Sequence, residues 1–323
     1  MMKAIVQEGY GSPAVLHLTD IEVPAIGDDG VLVRIHAASV NALDWHTTRG
    51  MPYFIRALDG LRSPRNRIRG VDLAGRVEAV GPNVTALRPG DDVFGGTDGS
   101  FAEYTATTVD RLAVKPVGLS YAEAAALHVA GLTALQGLRD KANLQAGQRV
   151  LVNGAGGGVG TYAVQLAKVF GAHVTAVTRT ESIEMVRSIG AHEVIDHTAE
   201  DFTRRSERYD VIFDIGGTKP LGHCRRVLAR SGMLLVVGAP AGRWLEPAGR
   251  LLKAVALSPF VSQRLVPFIS HNDREGLAQL GGLAGRGQIR SVIDREYPLA
   301  EAANAIAHVG TGRARGKVVV KVQ

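Results

Sequence analysis

The chain has 323 residues, 46% of them hydrophobic and 21% charged, which is ordinary for a soluble globular protein and long enough for two domains. One cysteine excludes a disulfide framework and a CxxC redox motif, and it indicates a reducing compartment such as the cytoplasm. The net charge is +6, but aromatic residues are only 5% of the chain, so we expect no nucleic-acid partner. The basic cluster Arg62, Arg65, Arg67 and Arg69 is interpreted as a solvated loop or as a positive rim that attracts an anionic cofactor.

No segment of the sequence predicts a membrane span. The first residues, MMKAIVQEGYG, lack the long apolar core of a signal peptide. The most apolar late stretch, residues 251–269, is interrupted by two basic residues and two prolines. We therefore expect a cytoplasmic protein with no membrane partner.

The first part of the chain, to about Gly118, is predicted to be rich in β-strands. Short apolar runs recur between turns such as Gly81-Pro82, Pro89-Gly90 and Gly95-Gly96, a pattern that indicates a small, partly open barrel. Residues 41–70 are predicted to form a long irregular loop, a kind of segment that is often functional. The apolar runs are residues 3–6, 16–18, 31–37, 75–80 and 111–114.

A capped helix is predicted next, and then a regular alternation of strands and helices. Ser120 and Glu123 have the spacing of a capping box at the start of a helical stretch that reaches Leu138. Alternating strands and helices predict a parallel, doubly wound α/β sheet. The expected strands are residues 150–152, 173–178, 193–196, 211–214, 233–238 and 265–269, and the expected helices are residues 160–170, 182–189, 221–228, 243–258, 273–283 and 299–308. Strand character returns from about residue 289 and ends in a strand at 317–322.

The turn after residues 150–152 is the strongest functional signal in the sequence. A strand, a tight glycine turn and a helix together aim backbone N–H groups and the positive end of the helix dipole at one point, which suits a pyrophosphate. The cluster fits the dinucleotide fingerprint G-x-G-x-x-G with alanine in the first place: Gly157 would let phosphates approach the backbone, and Gly160 would let the helix pack on the strand. A glycine turn that binds nothing is the alternative. The predicted binding residues of the turn are Ala155, Gly157, Gly158, Val159 and Gly160.

The end of the next strand indicates which dinucleotide is bound. NAD enzymes usually carry an acid there to hold the ribose 2′-OH, whereas this chain has Thr178 followed by Arg179. Arg179 would meet a 2′-phosphate in a charge-assisted pair, so the sequence favours NADPH. A solvated Arg179, with Glu181 supplying the acid that NAD requires, is the alternative.

Short motifs in a fixed order extend this pattern along nearly the whole chain. They are residues 39–44 (SVNALD), 70–75 (GVDLAG), 77–81 (VEAVG), 89–95 (PGDDVFG), 99–104 (GSFAEY), 131–134 (GLTA), 209–214 (YDVIFD) and 316–319 (GKVV). With these motifs the chain resembles the medium-chain dehydrogenase/reductase superfamily, in its zinc-independent quinone oxidoreductase (zeta-crystallin-like) group. The resemblance implies a Rossmann-type doubly wound parallel sheet plus a GroES-like, β-rich, partly open barrel domain. We expect the barrel domain at residues 1–121 and 289–323 and the dinucleotide-binding domain at residues 122–288.

Zinc is not expected. Catalytic zinc needs about three protein ligands, and the alcohol dehydrogenases of this superfamily supply Cys and His. Here Val40-Asn41 and Val71 stand at ligand positions, Cys224 lies in the predicted nucleotide domain, and His192 and His197 flank a strand without a thiolate partner. Without a Lewis acid the favoured reaction is hydride transfer to an already electrophilic small molecule, a quinone or an α,β-unsaturated carbonyl.

The resemblance also implies site residues. Asn41 matches the group's Asn beside the nicotinamide and is predicted to hydrogen-bond a carbonyl or quinone oxygen, with a turn Asn as the alternative. Tyr53 and His46 are candidate hydrogen-bond or proton donors, with loop packing or a surface histidine as the alternatives. Asp44 and Asp72 are interpreted as structural. The implied cofactor contacts beyond the glycine turn are Asn41, Thr133, Thr178, Arg179, His197, Gly238 and Lys317, a solvated lysine being the alternative for the last.

Other functions remain open. The basic cluster at residues 62–69 suits a CoA phosphate as well as NADPH, so an enoyl-thioester reductase is an alternative. A non-catalytic NADPH-binding protein is a second alternative, and RNA binding through the basic surface is a third. Substrate choice is assigned to residues 41–70 and 243–267, and the family implies a homodimer that residues 265–269 would form by strand pairing.

Overall fold

The computed structural model describes residues 1–238, 248–258 and 261–323. Within them the strands are β1 (Met2–Gln7), β2 (Leu16–Ile21), β3 (Gly30–Val40), β4 (Asp72–Val80), β5 (Asp92–Gly96), β6 (Tyr104–Thr108), β7 (Leu112–Val114), β8 (Arg149–Asn153), β9 (His173–Thr178), β10 (Glu193–Asp196), β11 (Tyr209–Asp214), β12 (Leu228–Val236), β13 (Arg264–Pro267), β14 (Ile293–Pro298) and β15 (Lys317–Lys321). The helices are α1 (Ala42–Arg49), α2 (Phe54–Asp59), α3 (Tyr121–Ala125), α4 (His128–Gln136), α5 (Gly158–Val169), α6 (Ile183–Ser188), α7 (Leu221–Arg226), α8 (Ala248–Leu257), α9 (Arg274–Gly285) and α10 (Ala302–Gly310).

These elements form two compact units, one of residues Met1–Leu132 with His271–Gln323 and the other of Thr133–Ser270. The predicted domain limits, placed where the sequence pattern changes, assign residues 122–132 and 271–288 to the other part. Packing accounts for the difference, because α9 lies against β7. A Cβ built at Gly281 of α9 would lie 3.2 Å from the Phe94 ring. The domain limits themselves stay a prediction.

In the unit built from both chain ends, the sheet is organised around β3. This strand pairs antiparallel with β15, β4 and β6, in the wider order β14-β15-β3-β4-β5-β7, while β1 and β2 form a separate antiparallel pair. Val31, Val33 and Ile35 of β3 alternate with more exposed residues and are buried against Leu73 and Val93. The period of two follows from the strand geometry. The predicted β-rich character of this part is confirmed.

Two local expectations in this unit were wrong. Residues 41–70 contain helices α1 and α2 rather than only irregular loop. Gly95-Gly96 lies inside β5 and not in a turn. A Cβ at Gly95 would lie 2.0 Å from the Arg111 carbonyl oxygen, and one at Gly96 would lie 2.4 Å from the His128 ring. The glycine pair therefore marks a close approach of other groups to the strand, which is the second common meaning of glycine in a strand.

The helix predicted from Ser120 to Leu138 is two helices, α3 and α4. Its start is confirmed, since the Ser120 hydroxyl accepts from the Glu123 N–H and the Glu123 carboxylate accepts from the Ser120 N–H. The second helix begins where the N–H of Val129 donates to the carboxylate of Asp72 across 3.2 Å. A carboxylate that satisfies a first-turn N–H is a helix cap, so tertiary contact sets this boundary.

The described part of the second unit contains a parallel sheet of six strands in the order β10-β9-β8-β11-β12-β13. The chain starts in the middle at β8, moves outward to β10, and then returns to β11 on the other side of β8. This is the doubly wound Rossmann order, with its switch point between β8 and β11. The predicted sheet is confirmed, and β9 and β10 have the predicted bounds.

The predicted insert helix at 243–258 corresponds in part to α8, and residues 239–247 and 259–260 of that region lie outside the described residues. Among the residues that are described, no helix has the length and apolar character needed to cross a membrane.

Candidate functional site

The glycine turn begins where β8 ends at Asn153. Gly154 has φ +93°, a conformation that favours glycine, and the N–H groups of Gly154 and Ala155 both donate to the Val177 carbonyl of β9. Gly157 then precedes the first residue of α5. The N–H groups in the first turn of a helix have no partner within the helix, so the turn presents donors together with the positive end of the dipole.

Two glycines of this turn differ in the space around them. A Cβ built at Gly160 would lie 2.1 Å from the Gly154 carbonyl oxygen and 2.7 Å from the Ala155 Cα, so only glycine lets α5 approach the turn this closely. A Cβ at Gly157 would meet nothing nearer than the Gly154 oxygen at 3.6 Å. The backbone at Gly157 therefore borders open space, as a phosphate-binding turn requires. Gly158 and Val159 form the first turn of α5.

The switch point holds a buried polar network that sequence reasoning missed. Nδ2 of Asn153 donates to Oδ1 of Asp214 across 2.7 Å, and the N–H of Gly217 donates to the same oxygen across 3.0 Å. The other carboxylate oxygen accepts from the guanidinium of Arg250 on α8, which also donates to the Lys219 carbonyl across 2.6 Å. Asn153 and Asp214 end adjacent strands, so they lie where open α/β sheets bind ligands.

The ends of β9 and β10 lie side by side, with Thr178 paired to Asp196. Arg179 is half-buried, and among the described residues its guanidinium has no hydrogen bond or ion pair. Asp196, an acid that the sequence analysis missed, accepts from the hydroxyl of Thr180 across 2.5 Å and from both the N–H and the hydroxyl of Thr198. These hydrogen bonds lower the pKa of Asp196. The carboxylate of Asp196 is thus already hydrogen-bonded to Thr180 and Thr198, whereas the guanidinium of Arg179 has no such partner among the described residues.

The remaining implied cofactor contacts of this unit occupy defined positions. The hydroxyls of Thr133 and Ser270 lie 2.8 Å apart. The N–H of His197, an exposed residue, donates to the Thr178 carbonyl across 3.0 Å. Gly238 must be glycine, because a Cβ there would lie 2.2 Å from the Ile215 carbonyl oxygen. The segment that follows it lies outside the described residues.

In the other unit, the carboxylate of Asp72 is the centre of a buried polar cluster. Its donors are the Ser39 hydroxyl at 2.6 Å, Asn41 Nδ2 at 2.9 Å, His128 Nδ1 at 2.9 Å, Lys317 Nζ at 3.1 Å and the Val129 N–H at 3.2 Å. Nζ of Lys317 also donates to Oδ1 of Asn41 across 2.7 Å. The reading of Lys317 as a solvated lysine is therefore wrong, since its side chain is 2% exposed.

Strand register brings this cluster together from distant parts of the sequence. Val318 of β15 pairs with Val40 of β3, which sets Lys317 opposite Asn41 one residue further on. Ser39 of β3 pairs with Asp72 of β4. Ser39, Asn41 and Lys317 therefore meet at Asp72 because three adjacent strands have their ends at the same place, while His128 and Val129 reach the carboxylate from the start of α4.

The two buried carboxyls here have opposite electrostatic character. Burial would raise the pKa of Asp72, but the Lys317 ammonium, the His128 ring and the Ser39 hydroxyl lower the pKa well below its ordinary value. Asp44 accepts the Asn41 N–H across 2.7 Å, yet burial and the nearby Asp72 charge raise its pKa to about 7. The cluster thus holds a fixed anion next to a carboxyl that titrates near neutral pH.

The other two proposed donors make different contacts. Nδ1 of His46 lies 3.1 Å from the Met51 carbonyl, and burial lowers the pKa of His46. Tyr53 precedes α2, is 37% exposed, and has the Arg56 guanidinium 5.1 Å from its ring centroid. The structure therefore places Asn41 in hydrogen-bond contact with Lys317. His46 instead contacts the Met51 carbonyl, and the ring of Tyr53 lies against the Arg56 guanidinium.

The basic cluster at residues 62–69 was expected to be a solvated loop or a positive rim, and only some of its arginines are exposed. Arg62, Arg65 and Arg67 are exposed, and Arg67 pairs with Glu8. Arg69 is buried: it donates to Gln7 across 2.6 Å and pairs with Asp59 across 2.9 Å. The expectation was wrong for Arg69, whose charge is used inside the fold.

Comparisons with known proteins agree with these features. Residues 27–117 match the model of the alcohol dehydrogenase GroES-like domain, and residues 189–320 match that of the zinc-binding dehydrogenases. A 2-methylene-furan-3-one reductase of Solanum lycopersicum is 36% identical over 99% of this chain and 79% of its own length. The NADPH-dependent alkenal/one oxidoreductase of Arabidopsis thaliana chloroplasts is 34% identical, again over 99% of this chain and 79% of its own length. The solved quinone oxidoreductase of Coxiella burnetii is 31% identical, with a TM-score of 0.88 over 100% of this chain and 99% of that one.

The chain belongs to the medium-chain dehydrogenase/reductase superfamily, in its zinc-independent quinone oxidoreductase group. The zinc-binding description of one matching model does not fit this member's residues. Cys224 is buried in the core of the second unit with Leu151 and Ile212. Among the described residues there is no group of three or more His, Cys, Asp or Glu side chains that would hold a metal ion. Val71 offers no ligand atom next to Asp72, whose carboxylate is already saturated by donors.

Proposed function

We propose that this member of the group is an NADPH-dependent oxidoreductase that reduces quinones or α,β-unsaturated carbonyls. The observation that carries the proposal is the alignment of 99% of the chain, at 34–36% identity, with reductases named for furanone and for alkenal or enone substrates. The match to the GroES-like domain and the Rossmann strand order of the second unit support the same reaction class.

The cofactor side of the proposal rests on the glycine turn and on Arg179. The turn fits a dinucleotide because a Cβ at Gly157 would stand in the open space beside the backbone. We assign the pyrophosphate to the N–H groups of the turn and of the first turn of α5, and the 2′-phosphate to Arg179. NADPH, when bound, supplies a hydride to the electrophilic acceptor, and one proton from solvent or from a weak acid of the protein completes the reduction, leaving NADP⁺ and a saturated carbonyl or hydroquinone.

The substrate side rests on Asn41. Its side-chain nitrogen carries two hydrogens, of which Asp72 accepts one, so the second is available to a carbonyl or quinone oxygen. A donor held in place before the reaction stabilises negative charge on that oxygen as the hydride arrives. His46 and Tyr53 remain proposed donors for the proton. Asn41, Thr133, Thr178, His197 and Gly238 remain proposed cofactor contacts, whereas we no longer assign one to Lys317, whose buried ammonium donates to Asn41 and Asp72.

The cofactor assignment is tested by titrating the protein with NADPH and NADH while cofactor fluorescence is followed. Arg179→Ala should weaken NADPH binding by about 10- to 100-fold, the loss of one charge-assisted contact, and leave NADH nearly unchanged. Arg187→Ala, which removes an exposed arginine paired with Glu184, is the matched control and should change neither. Equal binding of both cofactors, indifferent to Arg179, would contradict the assignment.

The activity is tested by following NADPH oxidation with simple quinones, enones and an enoyl-CoA. Turnover of quinones or enones, reduced about 100-fold in Asn41→Ala, supports the proposal. Turnover of the thioester alone would favour the enoyl-thioester reductase, and cofactor binding with no turnover would favour the non-catalytic protein.

We also propose a homodimer and a cytoplasmic location. The dimer proposal is supported by β13, which is the edge strand of the described sheet and pairs there only with β12. An exposed edge is a surface for pairing with a second copy. Sedimentation should give twice the 34.2 kDa chain mass. Val266→Lys, which places a charge on this half-buried position of the edge strand, should yield monomers, and dimers unaffected by it would exclude this edge.

A further inference from the structure

We infer that Lys317 is a positioning residue for Asn41: the buried ammonium fixes the amide and polarises it, so that the free Asn41 N–H is a stronger hydrogen-bond donor. The inference rests on the proposed function for its catalytic consequence. The orientation and polarisation of the Asn41 amide do not depend on the proposed function.

The geometry of three side chains carries the first step. Lys317 donates to Oδ1 of Asn41 across 2.7 Å, Asn41 donates from Nδ2 to Asp72 across 2.9 Å, and Lys317 donates to the same Asp72 oxygen across 3.1 Å. The three groups form a closed ring of hydrogen bonds. Because Oδ1 faces a cation and Nδ2 faces a carboxylate, only one orientation of the amide satisfies both neighbours.

Burial gives these contacts their strength. The side chains of Lys317 and Asp72 are 2% and 0% exposed, so water does not compete for either charge. A hydrogen bond from an ammonium to an amide oxygen draws electrons toward that oxygen, and linked hydrogen bonds polarise one another in a low-dielectric interior. The second Nδ2 hydrogen of Asn41, which Asp72 does not take, thereby gains donor strength.

The ring explains why a lysine occupies this position. If Lys317 served only to neutralise Asp72, contact with the carboxylate would suffice. The shorter of its two contacts is instead the one to Asn41. Removal of both charges leaves no unpaired ion but leaves Asn41 without its cation, and the single variant Asp72→Asn shows how much of any loss comes from the carboxylate that accepts Nδ2 of Asn41.

The test compares Lys317→Met, Asp72→Asn and the double variant with the wild-type protein. The double variant is expected to fold, because no buried charge is left alone. We expect it to keep the wild-type Kd for NADPH and an acceptor KM within about threefold, while kcat falls by about 10- to 100-fold, a typical size for weakening a preorganised donor. Recovery of wild-type kcat in the double variant would overturn the inference, since neutralisation would then be the whole role of Lys317.

A second readout needs neither cofactor nor turnover. With ¹⁵N-labelled asparagine, the side-chain amide signal of Asn41, assigned by its loss in Asn41→Ala, should shift upfield in the double variant as the amide loses polarisation. Lys115→Met is the matched control. It removes another buried ammonium of the same unit, one that donates to the Pro116 and Leu119 carbonyls, and it should leave the Asn41 signal and kcat unchanged.

The two proposals fail in different ways. A wild-type protein that reduces no acceptor contradicts the proposed function, and the Asn41 signal then decides the inference alone. If the methionine variants do not fold, Lys317→Arg keeps the cation and changes its geometry. Lys317→Arg should lower kcat and change the chemical shift of the Asn41 side-chain amide. An unchanged chemical shift together with a wild-type kcat would overturn the inference.

Discussion

Asn153 and Asp214 are joined by a 2.7 Å hydrogen bond at the point where the two central strands of the parallel sheet end. The second oxygen of Asp214 is paired with Arg250, so helix α8 is tied to the switch point by a buried ion pair. An unpaired negative charge at this place would repel the pyrophosphate that we propose for the glycine turn, and Arg250 cancels that charge. The pair therefore stabilises the fold and is compatible with the proposed cofactor site.

Arg250→Met should lower the free energy of unfolding by about 3–5 kcal/mol, because it leaves Asp214 buried and unpaired. The double variant Arg250→Met with Asp214→Asn should recover much of the loss. Urea unfolding followed by circular dichroism measures both. A single variant as stable as the wild-type protein would show that the pair does not form in solution.

Gly157→Ala should separate the cofactor role of the glycine turn from its structural role. Because the added methyl group meets only the Gly154 oxygen, at 3.6 Å, the variant should melt at nearly the wild-type temperature. It should bind NADPH at least about tenfold more weakly, since the methyl group occupies the space that the phosphates need. Unchanged binding in calorimetry would move the pyrophosphate away from this turn.

Gly160→Ala should instead damage the fold. Its Cβ would lie 2.1 Å from a carbonyl oxygen, so α5 must shift, at a cost of about 1–3 kcal/mol for overpacking. Gly222→Ala, in α7 with nothing within 4 Å of the added Cβ, is the control and should be neutral or stabilising. Thermal unfolding of the two variants compares them, and equal melting temperatures would refute the close packing.

Asp44 should make the protein less stable as the pH rises through about 7. Its pKa is raised from the ordinary 3.8 to about 7, first by burial, so the folded state holds the proton more tightly than the unfolded state does. The stabilisation is complete below about pH 4 and is lost between pH 4 and 7, a change of up to about 4 kcal/mol. Asp72 acts in the opposite sense, because its lowered pKa confines its loss of stability to more acidic solutions.

Asp44→Asn, which can still accept the Asn41 N–H, should therefore flatten the stability profile between about pH 4 and 7. Urea unfolding at several pH values measures this. A variant that loses stability with pH as steeply as the wild-type protein would assign the effect to another group.

Local pattern was enough to predict much of the nucleotide-binding unit. The strand at 173–178 was found with its bounds because it is buried on both faces, so that its sequence is a short and largely apolar run. The glycine turn was found because its spacing and its flanking elements are all local. These signals lie within about 30 residues of one another, a range at which sequence pattern alone is informative.

The polar centres could not be predicted in the same way. Lys317 and Asn41 are 276 residues apart and meet only through the register of β15 on β3. Arg250 reaches Asp214 from a helix whose placement depends on tertiary packing. Gly95-Gly96 looked like a turn because the sequence does not show that a carbonyl and the His128 ring approach the strand there.

The fate of the cofactor hydrogen tests the central claim most directly. The protein would be mixed with NADPH carrying deuterium at both C4 positions and with a simple enone, and the product would be examined by NMR. The account predicts a single deuterium at the former β-carbon and a solvent hydrogen at the α-carbon. Deuterium at the carbonyl carbon would indicate alcohol dehydrogenase chemistry, and an undeuterated product or none at all from protein that binds NADPH would contradict hydride transfer to the enone.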